Sequence, residues 1–173
     1  MKTILVSMTM AFALALSVRA DDVSVKITDV HLCCDSCVKG AKAAVGKVPG
    51  ATATVDKDEG TVSLMGPDKA TVQKAADALV AAGYFGKSSD ASIKINDSTG
   101  AKGEKVQSLK IEGLHLCCGK CVKTVNETLG TVSGVKANTA TKGAKSFEIT
   151  GDFNDKEAMT ALQKAGLTGQ VGK

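Results

Sequence analysis

A heptapeptide that occurs twice constrains this chain more than any other feature. The first copy, residues 31–37, reads His-Leu-Cys-Cys-Asp-Ser-Cys, and the second, residues 115–121, reads His-Leu-Cys-Cys-Gly-Lys-Cys. Together the two copies contain all six cysteines and both histidines of the chain. Thiolate and imidazole groups are the ligands that soft and borderline metal ions select. The duplication therefore predicts two repeats, each with a cysteine-rich metal site.

The first 20 residues have the pattern of a secretory signal peptide. Lys2 supplies a positive charge, residues 4–16 are almost purely apolar, and small residues precede Asp21. This apolar run is shorter than the roughly 20 residues that a membrane span needs, and no later segment approaches that length. We therefore expect cleavage after Ala20 and an exported protein, periplasmic or extracellular, without a membrane anchor.

Charge and motif content exclude several classes of function. Loss of Lys2 and Arg19 with the signal peptide lowers the formal net charge from +4 to +2. A charge this small and this evenly spread does not favour nucleic acid or an anionic membrane as partner. The sequence also contains no Ser/His/Asp set, no phosphate-binding loop and no paired carboxylates of the kind that catalysis uses.

Hydrophobic periodicity predicts the order βαββαβ in both repeats. Alternating residues predict strands, and apolar residues three to four positions apart predict helices. In the first repeat the predicted elements are a strand from residue 23, a helix after the heptapeptide that stops at Pro49-Gly50, strands 51–55 and 61–65, a helix from Pro67 to Gly83 and a strand 91–95. In the second they are a strand around 109–111, a helix ending at Gly134, strands 135–141 and 146–150, a helix 155–166 and a short strand near Val171.

The segment between the repeats predicts a flexible linker. Residues 96–105 contain two glycines and no apolar residue larger than alanine. The predicted organisation is a signal peptide 1–20, domain 1 at 21–95, a linker at 96–106 and domain 2 at 107–173. Because the linker lacks apolar anchors, we expect two separately folded domains with variable relative orientation.

A strand, then a cysteine pair that opens a helix, in a βαββαβ unit of about 70 residues, resembles the heavy-metal-associated domain family. The resemblance covers about residues 23–95 and 107–171. It implies an α+β fold, two ferredoxin-like domains in tandem. The family includes soluble copper chaperones, cytoplasmic domains of copper and zinc pumps and a periplasmic mercury-binding protein. Its motif, Gly-Met-x-Cys-x-x-Cys, implies that the metal-binding cysteines are Cys34, Cys37, Cys118 and Cys121.

The heptapeptides depart from that motif at three positions. His31 and His115 replace the glycine, leucine replaces the methionine, and Cys33 and Cys117 add a third thiol. The added thiols are either further ligands or buried packing groups, and the histidines are either ligands or strand-end residues. Tyr84, which follows the second helix, is in a position that shields the metal loop in the family.

The ligand set bears on the identity of the ion. A Cys-x-x-Cys at the start of a helix approaches unpaired backbone N–H groups, which favour the thiolate form. Two thiolates suit Cu(I) or Hg(II), whereas Zn(II) generally takes four ligands. We expect one such ion per domain, Cu(I) or Zn(II) in preference to Hg(II).

The sequence therefore predicts a non-enzymatic, exported protein that scavenges, buffers or transfers a soft metal ion. Its partners would be a metal-transporting membrane pump or another metal carrier. Two alternatives use the same cysteines. One is a thiol–disulfide oxidoreductase; the other is a structural or interaction module whose Cys34–Cys37 and Cys118–Cys121 pairs are disulfides.

The added thiols allow a first test. We expect Cys33→Ala combined with Cys117→Ala to retain Cu(I) binding but to weaken Zn(II) binding tenfold or more, about 1.4 kcal/mol. The reason is that a two-thiolate site still satisfies Cu(I) but leaves Zn(II) short of ligands. Competition titrations of both ions measure this, and an unchanged Zn(II) affinity would identify the added thiols as packing groups.

Overall fold

Two βαββαβ units follow one another in the structure, a computed structural model that describes residues 22–172. The predicted signal peptide, residues 1–20, lies outside the described residues. Within the described part of the chain, no helix is long and apolar enough to cross a membrane.

Domain 1 has one four-stranded antiparallel sheet in the order β2-β3-β1-β4, with two helices packed on it. Its elements are β1 (Val23–Thr28), α1 (Asp35–Val45), β2 (Thr52–Asp56), β3 (Thr61–Gly66), α2 (Lys69–Ala81) and β4 (Lys87–Ser88). Domain 2 repeats this arrangement in the sheet order β6-β7-β5-β8. Its elements are β5 (Lys105–Glu112), α3 (Gly119–Gly130), β6 (Val135–Asn138), β7 (Ser146–Asn154), α4 (Asp155–Lys164) and β8 (Gln170–Val171). The predicted fold class, two ferredoxin-like α+β units in tandem, is confirmed.

The core forms where the predicted apolar faces meet. Val25 and Ile27 alternate inward from β1, and the paired strand β3 contributes Leu64. The helices complete the core with an apolar stripe each, of which Val45 and Leu79 are almost fully buried. Burial of each such aliphatic side chain contributes about 1.5–3 kcal/mol. The packing of helices on the sheet holds the heptapeptide, which connects β1 to α1, at one end of the domain.

The last strand of domain 1 is not where the sequence predicts it. The fourth strand of the sheet is the two-residue β4, and residues 91–95 form a turn and an extended segment beside α2. Gln73 holds this segment, since its side-chain amide bonds both the N–H and the C=O of Lys94 at 2.8 Å. Ile93 is buried there. The alternation of apolar residues in 91–95 therefore reflects packing on a helix rather than strand pairing.

The linker is also more ordered than its composition predicts. The carboxylate of Asp155, at the start of α4, accepts hydrogen bonds from the backbone N–H groups of residues 102, 103 and 104 at 2.7–2.9 Å. The carbonyl of Thr99 accepts from the N–H of Val171 at 2.8 Å. Polar contacts thus anchor residues 97–104 to domain 2 without any large apolar side chain. The flexibility predicted for this segment stays a prediction, which these contacts do not favour.

The two domains contact each other through matching glycine turns. Gly83 follows α2 and lies against residues 113–115 of domain 2, while Gly166 follows α4 and lies against residues 29–31 of domain 1. Both glycines have a positive φ, +88° and +78°, and a Cβ on either would press into the backbone of the other domain. These two positions therefore require glycine for conformation and for close approach.

Backbone hydrogen bonds join the glycine turns across the interface. The carbonyl of Gly166 accepts from the N–H of His31 at 3.2 Å, and the carbonyl of Gly83 accepts from the N–H of Thr168 at 3.1 Å. Tyr84 and Leu167, the residues after the two glycines, pair as an isolated antiparallel bridge. The expectation of a variable relative orientation is therefore not met, whereas independent folding of the two domains stays a prediction.

Substitution of the interface glycines tests this arrangement. We expect Gly83→Ala and Gly166→Ala each to separate the domains, because a Cβ would collide with backbone that has no freedom to move away. Gly143→Ala is the matched control, since Gly143 has φ +80° but open space where its Cβ would be. All three variants should lose about 1 kcal/mol of stability from the left-handed conformation. Only the interface variants should show a larger radius of gyration in small-angle X-ray scattering, and an unchanged radius would contradict the interface.

Candidate metal centre

Each heptapeptide places its Cys-x-x-Cys at the beginning of a helix. Cys34 and Cys118 are the N-cap residues of α1 and α3, with extended backbone, and Cys37 and Cys121 lie in the first turns. The later cysteine of each pair is fully buried, whereas the N-cap cysteine is half-buried. Both positions lie at the end of the helix where backbone N–H groups are unpaired, which favours a thiolate.

The six thiols form one cluster, because the interface brings the two loops together. The shortest Sγ–Sγ separations cross between the domains, at 3.3 Å for Cys33–Cys118 and 3.3 Å for Cys37–Cys117. Three further contacts also cross: Cys33–Cys121 at 3.4 Å, Cys34–Cys117 at 3.6 Å and Cys37–Cys121 at 3.9 Å. Within each Cys-x-x-Cys the separation is larger than in the two closest cross-domain pairs, 3.7 Å in domain 1 and 3.9 Å in domain 2.

Four groups of side chains in this cluster can hold a metal ion, and three of them draw ligands from both domains. The ligand atoms of each group lie within 4.8 Å of one another. The groups that span the domains are His31-Cys33-Cys121, Cys33-Cys34-Cys118 and Cys34-Cys37-Cys117, and the fourth is Cys117-Cys118-Cys121. The ligand sets therefore favour a centre shared by the two domains over the predicted arrangement of one ion held within each.

The added thiols of the heptapeptides lie inside the cluster. Adjacent residues in an extended chain point to opposite sides, which would direct Cys33 away from Cys34. The turn into α1 instead brings the Sγ of Cys33 to 3.7 Å from that of Cys37. In domain 2, Cys117 lies 3.6 Å from Cys121 in the same way. Cys33 and Cys117 are thus placed as ligands, although both also pack against the core.

The thiols differ in how readily they ionise. A backbone hydrogen bond from Cys121 is the main cause that lowers the pKa of Cys118 to about 6. A hydrogen bond shared with Cys121 lowers the pKa of Cys37 and raises that of Cys121, because Cys121 keeps the proton. Burial raises the pKa of Cys33 to about 12. Some thiols in contact must stay protonated, so a bound cation would displace protons from the cluster.

The two histidines occupy equivalent positions but have different partners. The Nε2 of His31 is buried and finds no hydrogen-bond partner among residues 22–172, and burial lowers the pKa of this imidazole, which favours its neutral form. The Nε2 of His115 lies 3.0 Å from the hydroxyl of Tyr84. That hydroxyl donates its proton to the carbonyl of Cys37 at 2.9 Å, so it accepts from His115.

Tyr84 is fully buried between the domains. Its ring lies against that of His115, with centroids 4.6 Å apart. Gly40 in α1 makes room for it, because a Cβ there would meet the Tyr84 hydroxyl. The sequence predicts that Tyr84 shields the metal loop of its own domain, but it does not predict the contact with His115. That contact exists only because the domains meet.

No protein-family model and no curated protein matches the sequence. Solved structures match it in fold. The N-terminal domain of PacS from Synechocystis PCC6803 matches over 39% of this chain and 100% of that domain, with 17% identity and a TM-score of 0.36. The apo HMA domain of the copper chaperone for superoxide dismutase matches over 50% of this chain and 86% of its own, with 19% identity and a TM-score of 0.36.

The N-terminal soluble domains of Bacillus subtilis CopA match over 88% of this chain and 95% of their own, with 15% identity and a TM-score of 0.30. At these identities and TM-scores the likeness carries no argument about function, and the chemistry of the site rests on the six cysteines.

The cross-domain separations predict the products of oxidation. We expect a thiol oxidant such as diamide to join the domains through Cys33–Cys118 and Cys37–Cys117, because these thiols are the closest pairs. After non-reducing trypsin digestion, mass spectrometry should find the peptide with Cys33 and Cys37 joined to peptide 111–120. Cleavage after Lys120 separates Cys118 from Cys121, so a disulfide within the second Cys-x-x-Cys gives a different product. Cross-links confined to single loops would contradict the geometry, and denaturant should abolish the cross-domain products.

Proposed function

We propose that this protein is an exported carrier that binds soft metal ions, Cu(I) in the first place, in a centre shared by its two domains. The single observation that carries the proposal is the contact of six thiols from two loops, with the closest pairs crossing between domains. Export is supported by the signal-peptide pattern of residues 1–20.

The donor set supports a soft ion. Thiolates favour Cu(I) over hard cations, and Cu(I) accepts two or three sulfur ligands. Six thiols exceed what one such ion needs, so neighbouring ions that share thiolates suit this cluster.

The burial pattern supports transfer as well as storage. Cys37 and Cys121 are fully buried and are suited to hold the ion, whereas Cys33, Cys34, Cys117 and Cys118 are half-buried. A thiolate of another protein can reach the half-buried ligands and replace them one at a time. The partners that fit this exchange are a metal-transporting membrane pump or another metal carrier. No step in this exchange requires the protein to act as an enzyme.

Substitution of one cysteine distinguishes a shared centre from two independent sites. We expect Cys37→Ser to weaken Cu(I) binding across the whole protein, because Cys37 lies within 3.9 Å of cysteines in both domains. The measurement is a Cu(I) titration of the reduced protein against a chromophoric chelator. Two independent sites would instead give a loss confined to half of the bound ions, with the other half at unchanged affinity.

Ser36→Ala is the matched control, since Ser36 is an exposed residue of the same heptapeptide, in the first turn of α1. It should bind Cu(I) like the unsubstituted protein. If the unsubstituted, reduced protein binds no Cu(I), the proposed function is wrong. Reduction of insulin by the protein would then favour the thiol–disulfide oxidoreductase.

A further inference from the structure

We infer that the two halves of the cluster differ, and that His31, Cys33, Cys37 and Cys121 form a mixed nitrogen–sulfur site for a divalent ion such as Zn(II). The inference rests on the proposed function and adds a second class of ion to it. It assigns a ligand role to one histidine of the duplicated pair and denies that role to the other.

The ligand atoms come from both domains. A ring nitrogen of His31 lies within 4.8 Å of the Sγ atoms of Cys33 and Cys121. The Sγ of Cys37 lies 3.7 Å from that of Cys33 and 3.9 Å from that of Cys121, so it is placed to supply a fourth ligand. Three cysteines and one histidine are a set that tetrahedral Zn(II) sites commonly use.

The hydrogen bonding of His31 supports this role. Its Nε2 is buried and has no hydrogen-bond partner in the part of the chain that the structure describes. A buried polar atom without a partner destabilises the fold, because its hydrogen bonds to water are lost and not replaced. A metal ion at this position removes that penalty, because the nitrogen lone pair then has an acceptor. The orphaned Nε2 and the thiols near the His31 ring are separate observations that point to the same side chain as a ligand.

The Nε2 of His115, unlike that of His31, has a hydrogen-bond partner, although His115 is at the same position of its own heptapeptide. Its Nε2 donates to the Tyr84 hydroxyl, so this nitrogen carries a proton and has no lone pair for a metal. Among the described residues, the candidate metal groups include His31 but not His115.

One substitution between the repeats explains the difference. The residue after the glycine turn is Tyr84 in domain 1 and Leu167 in domain 2. Leucine has no hydroxyl to bond His31. The first helix of each domain differs in a matching way. In domain 1, Gly40 leaves room for the Tyr84 hydroxyl, whereas the residue 84 positions later in domain 2 is Thr124. The tyrosine thus engages the Nε2 of His115, whereas the leucine provides no such partner for the Nε2 of His31.

Nitrogen-15 NMR of the unsubstituted protein tests the assignment directly. The chain has two histidines, so histidine-labelled protein without a purification tag gives signals from two imidazoles only. Addition of Zn(II) to the reduced protein should shift a ring nitrogen of His31 to the position of a metal-bound nitrogen and leave His115 hydrogen-bonded. Metal-type shifts at His115 instead, or at neither histidine, would overturn the inference.

Matched substitutions supply a second readout. Zn(II) competition titrations should show a loss of affinity of tenfold or more for His31→Ala and of less than threefold for His115→Ala, with Cu(I) affinity within about threefold in both. Equal losses would overturn the inference. In the His31→Ala background, Tyr84→Phe should recover part of the Zn(II) affinity by releasing His115, and no recovery would count against the role of Tyr84.

These outcomes separate the inference from the proposed function. Normal Cu(I) binding with no effect of His31 refutes the mixed site and leaves the Cu(I) carrier intact. Absence of both Cu(I) and Zn(II) binding in the unsubstituted protein refutes both.

Discussion

The contact between six thiols at one interface is the constraint on which the rest of the structure depends. Thiolates this close repel one another, and buried thiolates lose hydration, so the metal-free cluster must retain protons. The hydrogen bond between Cys37 and Cys121 agrees with this, since it lowers the pKa of Cys37 and raises that of Cys121. The contacts around the cluster therefore have to hold together thiols that would otherwise repel one another.

The backbone supplies the attraction that the thiols lack. Gly83 and Gly166 allow the two chains to approach closely, and hydrogen bonds from His31 and Thr168 fasten the turns on both sides. Tyr84 adds a buried ring and two hydrogen bonds at the centre. The interface is thus built largely from main-chain contacts between equivalent turns of the two domains. A small number of side chains breaks the symmetry.

The fold was predictable because its signals are local. Alternation in β1, the helical stripes and the turn residues at Pro49-Gly50 each depend on a few neighbouring residues, and the structure contains all of these elements. The misplaced last strand shows the limit of this reasoning. Residues 91–95 alternate like a strand, but the hydrogen bonds of Gln73, about 20 positions earlier, hold them beside α2.

The candidate site was predictable in its residues but not in its arrangement. All six cysteines and His31 could be identified from the heptapeptide, because ligand chemistry depends on residue type. Their convergence depends on the contact between domains, and no periodicity encodes a contact between Gly83 and residues 113–115. The anchoring of the linker was missed for a similar reason, since Asp155 holds it from about 50 positions away.

The anchored connection at residues 97–104 has a consequence for how the centre assembles. Two separate copies of a single domain would have to meet in solution, and their assembly would depend on dilution. Here the second loop is present at a fixed effective concentration, which short connections typically set in the millimolar range. Because both halves are in one chain, their sequences can also differ, whereas the two subunits of a homodimer are identical. Tyr84 in one half can therefore pair with Leu167 in the other, and His31 and His115 can have different roles.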